Sequence, residues 1–169
     1  VMLAAPSRPL QENFLEQMAY LSGLDGVVTN GEEVRLESIR RQVERVGGER
    51  SAGGGSGDLP LGLSRAYWDD LLRHDSREAA AALTGPVLVM QGGRDYQVTR
   101  RDFDGWRRIM TTRSDVAFKF YPALNHLFMA GEGKSTPDEY QVAGHVAAEV
   151  IEDLAAWLKA RTEAARPRT

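Results

Sequence analysis

The run Pro86–Gln91 (PVLVMQ) most constrains the fold, because it is apolar at successive positions and ends at Gly92-Gly93. A strand with one face in solvent alternates apolar and polar residues, whereas a short continuous apolar run is typical of a parallel strand covered on both faces. A chain with such a strand must supply helices to both sides of a sheet. The sequence therefore predicts a layered α/β fold.

Two further strands and a series of helices complete this prediction. The apolar run Val1–Ala5 stops at Pro6 and is expected to be buried on both faces, and Val116–Tyr121 partly alternates apolar and polar residues. Between and after the strands, apolar residues recur at helical spacing. The predicted helical faces are Phe14, Met18 and Leu21; Leu36, Ile39, Val43 and Val46; Tyr67, Trp68, Leu71 and Leu72; Phe103, Trp106 and Ile109; and Val150, Ile151, Leu154 and Leu158. We therefore expect about three parallel strands with flanking helices.

The 169 residues are divided by these patterns into three segments. Residues 1–9 form a core strand and loop, 10–83 a helical insertion, and 84–169 an α/β core. Within the insertion, residues 47–58 (GGERSAGGGSGD) offer nothing apolar to bury, so a mobile loop is predicted there. Because an apolar strand starts at the first residue without an initiating Met, we expect the chain to be a fragment.

Composition narrows the range of functions. The net charge is -3 and no basic block occurs, so nothing would attract a nucleic acid backbone. No apolar run reaches the roughly 18 residues of a membrane span, and no signal peptide is recognisable, so a cytoplasmic location is expected. The chain has no Cys, which removes thiolate chemistry. Gly92-Gly93 fits neither Gly-rich phosphate motif, and no cofactor or metal is predicted.

Asp95 and His126 carry the chemistry that the sequence predicts. Asp95 follows the second strand in QGGRDYQV, and His126 follows the third strand in YPALNHLF. Functional groups of an open parallel sheet collect past the carboxyl ends of its strands, and a gap of 31 residues equals one helix, one strand and their loops. We therefore predict a hydrogen bond between these two side chains. A turn aspartate after a Gly pair and a structural histidine are the alternatives.

The segments around Asp95 and His126 resemble the C-terminal half of α/β-hydrolase-fold serine hydrolases of the dienelactone hydrolase and prolyl-oligopeptidase-like kind. G-G-R-D-x-x-V is similar to the acid turn of that family, and P-x-x-N-H to its histidine turn. The resemblance implies that Asp95 orients and stabilises His126, and that His126 is general base and acid in a Ser-His-Asp acyl-enzyme mechanism. The implied reaction is cleavage of an ester, or less readily an amide.

This resemblance covers residues 84–159 best and ends in the helix Glu149–Lys159, which is similar to the last helix of the family. Residues 1–10 resemble its sixth strand, and residues 10–83 resemble a lid inserted between the sixth and seventh strands. The family's nucleophile lies in G-x-S-x-G on a strand-to-helix turn. Ser56 lies in GGSGD within the Gly-rich loop, and Ser64 lies in GLSRA, where a helix N-cap is the better interpretation.

The chain therefore contains no nucleophile, and we expect the nucleophile and the oxyanion hole to lie in an N-terminal half that precedes it. The chain alone should be inactive. Its first strand, Val1–Ala5, should then pair with that half or with a second copy of the chain. For a small acyl ester substrate, Tyr96 and Phe128 flank the acid and base, and Trp68 could line an acyl pocket. The alternative is a non-catalytic interaction module that pairs through the first strand and keeps Asp95 and His126 as remnants.

Overall fold

The computed structural model describes residues 1–48 and 58–164. Residues 49–57 of the predicted Gly-rich loop, including Ser56, lie outside the described residues. The chain order of the elements is β1 (Met2–Leu3), α1 (Leu10–Ser22), α2 (Asn30–Gly47), a 3₁₀ turn (Pro60–Gly62), α3 (Arg65–Arg73), α4 (Ser76–Ala81), β2 (Val87–Gly92), α5 (Arg100–Ile109), β3 (Val116–Tyr121), a second 3₁₀ turn (Pro137–Gln141) and α6 (Ala148–Ala164).

The strands form a parallel sheet in the order β1-β2-β3. β2 lies in the middle, and its register aligns Met90 with Leu3 on one side and with Lys119 on the other. All six residues of β2 are buried. The predicted α/β fold, with three parallel strands and flanking helices, is therefore confirmed. The burial expected of Pro86–Gln91 is present from Val87 onwards, whereas Pro86 is exposed.

Helices cover both faces of this sheet. Because side chains alternate along a strand, Leu88 and Met90 point to one face and Val87 and Val89 to the other. The first face packs with α6 and with the loop that follows β3, residues 122–130, which carries His126 and is called the histidine loop. The cluster consists of Ala4, Leu88, Met90, Tyr121, Leu124, Phe128 and Val150. The second face packs with α4 and α5, in a cluster of Ala80, Val87, Val89, Phe103, Trp106 and Met110. Each face of the sheet therefore has its own core.

Three expectations about apolar faces are wrong in part. On α3, Trp68 is buried, but Tyr67 and Leu72 are exposed. α6 buries Val150 and packs Leu154 and Trp157 against the core, but Ile151 is 57% exposed and Leu158 46% exposed. Residues 150, 154 and 157 follow one stripe of a helix, and Ile151 and Leu158 lie on the adjacent stripe. The first strand is also shorter than predicted, and Leu3 is 49% exposed instead of buried on both faces. Leu3 is exposed because β1 has a strand neighbour on one side only within the described residues.

The described part of the segment between β1 and β2 contains helices joined by loops and no strand, and two of its helix starts follow their sequence signals. Thr29 and Glu32 form a capping box at the start of α2. The Ser64 hydroxyl accepts a hydrogen bond from Tyr67 N at 3.2 Å, which confirms the N-cap prediction for Ser64. None of the helices in residues 1–48 and 58–164 is long and apolar enough to cross a membrane.

A buried ion pair holds the segment after β1 against α5. The Asp102 carboxylate is fully buried and accepts hydrogen bonds from Ser7 N at 3.0 Å and from the Arg8 guanidinium at 2.6 Å. The same guanidinium also contacts Glu16 of α1. Burial alone would raise the pKa of Asp102, but hydrogen bonds from Arg8 and Ser7 outweigh it and hold that pKa below its usual value. Strand β1, α1 and α5 are thereby fixed relative to one another.

Candidate active site

The acid turn, residues 93–98, follows β2 and contains Asp95. Hydrogen-bond donors surround the Asp95 carboxylate. Its Oδ1 accepts hydrogen bonds from the backbone N–H groups of Gln97 and Val98, both at 2.9 Å. Its Oδ2 accepts one from Gln91 Nε2 at 3.0 Å and contacts His126 Nδ1 at 2.9 Å. The side chain of Asp95 has no exposed surface. A buried carboxylate with four such partners is held in a single orientation.

The predicted contact between Asp95 and His126 is therefore present, and it joins the loops that follow two adjacent parallel strands. Because an ionised carboxylate only accepts hydrogen bonds, the Nδ1 atom of His126 must carry the proton. In the neutral imidazole, Nε2 is then the acceptor. The His126 side chain is 28% exposed, and nothing among the described residues bonds its Nε2. This geometry presents a basic nitrogen at the surface.

Gln91, which was not among the residues predicted from sequence, contacts the Asp95 carboxylate directly. Its amide Nε2 donates to Asp95 Oδ2 and also to Val98 O at 2.8 Å and Gly92 O at 3.2 Å. It is almost fully buried at the carboxyl end of β2. A polar residue at the buried end of an apolar strand must find hydrogen-bond partners inside the protein. The position of Gln91 at the end of the apolar run was therefore the sequence feature that could have indicated these contacts.

Close packing between the two loops depends on Gly92 and Gly93. A Cβ atom on Gly92 would lie 2.5 Å from Leu124 O and 2.6 Å from Asn125 O. On Gly93 it would lie 2.7 Å from Pro122 Cα. These are backbone atoms, which cannot move aside as a flexible side chain can. The Gly pair therefore allows the acid turn to reach the loop that carries His126.

Tyr96, predicted to contact substrate, lies in an aromatic cluster under α1. Its ring stacks on Tyr20 of α1 with centroids 4.9 Å apart and planes 3° apart, and it meets Tyr140 at 6.1 Å. The Tyr20 hydroxyl donates to Ser135 O at 2.9 Å. Burial raises the pKa of Tyr96 to about 12. The cluster joins the helical insertion to the acid turn, and Tyr96 is too buried to offer substrate an open surface.

The other two predicted substrate contacts also lie in cores. Phe128 is buried beside Tyr121, with its backbone in the left-handed region at φ +57°. That conformation is uncommon for a bulky residue and turns the chain directly after His126. Trp68 is fully buried with Val46 and Leu59 in the helical segment. The structure thus brings Asp95 and His126 together but gives the predicted substrate roles of Phe128 and Trp68 no support.

A groove of about 560 Å³ lies away from this pair, between the segment after β1 and the α3–α4 corner. Neither Asp95 nor His126 lines it. Its lining includes Pro6–Glu12, Leu71, Leu72 and His74–Arg77. In the part of the chain that the structure describes, no three His, Asp or Glu side chains form a group that could hold a metal ion.

Comparison with known proteins gives one informative relative. No protein-family model and no solved structure matches the chain significantly. The chain is 39% identical over 165 residues to Esterase EstD of Thermotoga maritima. This match covers 94% of the chain but 36% of that protein. The chain therefore spans just over a third of the length of the curated esterase to which it is similar.

Proposed function

We propose that this chain supplies the general base and the acid of a serine hydrolase that cleaves small acyl esters. The observation that carries the proposal is the 2.9 Å contact between Asp95 Oδ2 and His126 Nδ1 at the carboxyl ends of β2 and β3. The acid and the base of a Ser-His-Asp triad are paired by the same kind of contact, which supports the proposal. The similarity to a protein named an esterase supports the same chemistry.

In this mechanism Nε2 of His126 accepts the proton of a serine hydroxyl as its oxygen attacks the ester carbonyl. The tetrahedral intermediate collapses when the protonated His126 gives that proton to the departing alcohol. Water then attacks the acyl-enzyme and loses a proton to Nε2. The second tetrahedral intermediate collapses as His126 returns that proton to the serine oxygen, and the carboxylic acid product leaves. Asp95 keeps the Nδ1–H tautomer in place and stabilises the imidazolium formed in both steps.

The nucleophile and the oxyanion hole belong, in this proposal, to a part of the protein outside the chain. Ser64 already uses its hydroxyl to cap α3. The match to 36% of the esterase leaves ample length in that relative for a further segment. The chain alone should then hydrolyse p-nitrophenyl esters no faster than free imidazole, and a fluorophosphonate probe should label none of its serines. Burst kinetics or labelling would contradict this part of the proposal.

A non-catalytic interaction module is less well supported. Such a module has no need of a carboxylate with four hydrogen-bond partners directed at a partly exposed histidine. The relative's name also favours an enzyme. The hypothesis of a non-catalytic interaction module would be favoured if the natural protein bound a partner through β1 and showed no hydrolytic activity.

The decisive experiment replaces His126 and Asp95 separately in the natural protein that carries this chain. Both His126→Asn and Asp95→Asn should lower kcat for a p-nitrophenyl ester by about 10²- to 10⁴-fold, because one lacks the base and the other the group that fixes its tautomer. His145→Asn, which changes an exposed histidine near the same loops, is the matched control and should keep full activity. Full activity of His126→Asn would overturn the proposal.

A further inference from the structure

A second set of polar contacts joins the acid turn to the histidine loop without passing through Asp95 or His126. It centres on Glu139, in the 3₁₀ turn Pro137–Gln141. One oxygen of its carboxylate, Oε1, contacts the Arg94 guanidinium. The other, Oε2, accepts hydrogen bonds from Asn125 Nδ2 and Ser135 Oγ, both at 3.0 Å. One carboxylate therefore receives donors from three separate segments.

Two of these donors are the immediate neighbours of the proposed catalytic residues. Arg94 directly precedes Asp95, and Asn125 directly precedes His126. The Arg94 side chain is 8% exposed and also donates to Gly133 O at 2.9 Å and to Glu132 O at 3.1 Å. Its guanidinium is thus held by the loop after His126, although the residue itself belongs to the acid turn. Any displacement of one turn must break these bonds to the other.

Asn125 carries the connection into the backbone that presents His126. Its Oδ1 accepts hydrogen bonds from Leu127 N at 3.0 Å and Met129 N at 3.1 Å. Its own amide donates to Glu139. Asn125 is almost fully buried, so each of these groups depends on a protein partner. The Asn125 side chain therefore connects Glu139 to the turn at residues 125–129.

The charge state of Glu139 fits this arrangement. Burial alone would raise the pKa of Glu139, but hydrogen bonds from Arg94, Asn125 and Ser135 outweigh burial and hold that pKa below its usual value. The carboxylate is therefore ionised at neutral pH and can accept from all its donors at once. A neutral glutamine would present an amide N–H₂ to at least one of them, so that two donors would face each other.

We propose that Glu139 is a positioning residue, which locks the acid turn to the histidine loop through Arg94 and Asn125 and so sets the geometry of the Asp95–His126 pair. This role rests on the proposed hydrolase function, because it matters for activity only if His126 is the base. Small displacements of a catalytic group cost on the order of 10- to 100-fold in rate. Glu139 itself touches neither reacting group.

The test is Glu139→Gln in the natural protein that carries the chain, with two readouts. The first is the far-downfield proton resonance of the Nδ1–H group of His126 hydrogen-bonded to Asp95. The second is ester hydrolysis, separated into kcat and KM. We expect the resonance to broaden or vanish through faster exchange with water, and kcat to fall about 10- to 100-fold with KM little changed.

The matched control is Asp153→Asn. Asp153 also receives two donors, Lys119 Nζ at 2.9 Å and Tyr121 OH at 2.8 Å, but these join β3 to α6. The Asp153→Asn substitution should therefore leave both the His126 resonance and kcat unchanged. An unaltered resonance and kcat in folded Glu139→Gln would overturn the proposal, and so would equal losses in the control.

If Glu139→Gln does not fold, Arg94→Lys decides the matter. Lysine keeps the positive charge but lacks the planar guanidinium that reaches Glu139, Gly133 O and Glu132 O together. We expect this variant to broaden the same resonance and to lower kcat, and unchanged values of both would overturn the proposal. The resonance does not require activity, so its loss in Glu139→Gln would uphold the positioning role even if His126→Asn proved fully active.

Discussion

Gly92 lies where the two loops of the candidate site touch, so the packing of these loops depends on its lack of a side chain. A Cβ atom here would lie 2.5 Å from Leu124 O and 2.6 Å from Asn125 O, well inside van der Waals contact. We predict that Gly92→Ala destabilises the fold by about 1–3 kcal/mol, the usual cost of overpacking. It should also weaken the Asp95–His126 hydrogen bond, because the loops must separate. Urea unfolding measures the first effect and the downfield His126 proton resonance the second.

Gly31 provides the control for that substitution. It lies in the first turn of α2, where a Cβ would meet nothing within 4 Å, and its backbone needs no left-handed conformation. Gly31→Ala should therefore leave stability unchanged or raise it by about 0.5–1 kcal/mol through helix propensity and reduced unfolded-state entropy. If Gly92→Ala were equally harmless, the close approach of the two loops would not depend on the absence of a side chain.

Tyr96 allows a prediction about alkaline pH. Burial raises its pKa to about 12 from the ordinary value of about 10, with smaller contributions from Tyr140, Tyr20 and Asp95. The folded state thus favours the protonated phenol, and this contribution is complete below pH 10 and lost as pH rises towards 12. We predict that the free energy of unfolding of Tyr96→Phe falls less steeply over this interval than that of the parent. Urea unfolding at several pH values tests this.

The control for this measurement is Tyr67→Phe, because Tyr67 is largely exposed on α3. It should follow the pH dependence of the parent protein. A parallel decline of all three proteins between pH 10 and 12 would mean that Tyr96 is not protected from ionisation in the folded state.

Individual residues were predictable from sequence where chain topology alone decides their position. Asp95 and His126 follow adjacent parallel strands, so their proximity required only the strand assignment and their spacing. The surroundings of Tyr96 and Phe128 were not predictable in this way. Whether a side chain in the acid turn or the histidine loop points to solvent or into a core depends on elements far away in the sequence, such as α1, which contributes Tyr20.

At the level of elements, the start of α3 offers a direct test of a capping signal. The Ser64 hydroxyl accepts from Tyr67 N at 3.2 Å and satisfies one of the backbone donors that a helix start leaves open. Ser64→Ala should therefore destabilise the protein by about 1 kcal/mol, whereas Ser64→Asp, another good N-cap, should be nearly neutral. Thermal or urea unfolding gives the difference. Equal stabilities of the alanine and aspartate variants would contradict the capping role.

The local sequence pattern predicted the helices and strands themselves, but it predicted only in part which of their faces are buried. β3 has the bounds expected from Val116–Tyr121, and α3 starts after its predicted cap. In α6, four apolar residues fit one broad helical face, yet the sheet covers only the stripe through Val150, Leu154 and Trp157. Periodicity identifies an apolar face, but the width of that face which becomes buried depends on the neighbouring elements.

The whole molecule has an asymmetric sheet. Its central strand, β2, is buried throughout, while β1 pairs with β2 on one side and meets no strand on its other side within the described residues. Leu3 of β1 is about half exposed. On α6, Ile151 and Leu158 are about half exposed as well. A row of unpaired backbone groups beside exposed apolar side chains is a template for pairing with another strand.

We therefore predict that the 169-residue chain, taken alone, self-associates through β1. Its sedimentation coefficient should rise with concentration, and Leu3→Lys should suppress that rise, because a charge on an edge strand opposes pairing. Val34→Lys is the control, since Val34 is also apolar and exposed but lies on α2, away from the sheet; it should associate as the parent does. A concentration-independent monomer whose β1 amides resist hydrogen exchange would mean that the edge is already covered and needs no partner strand.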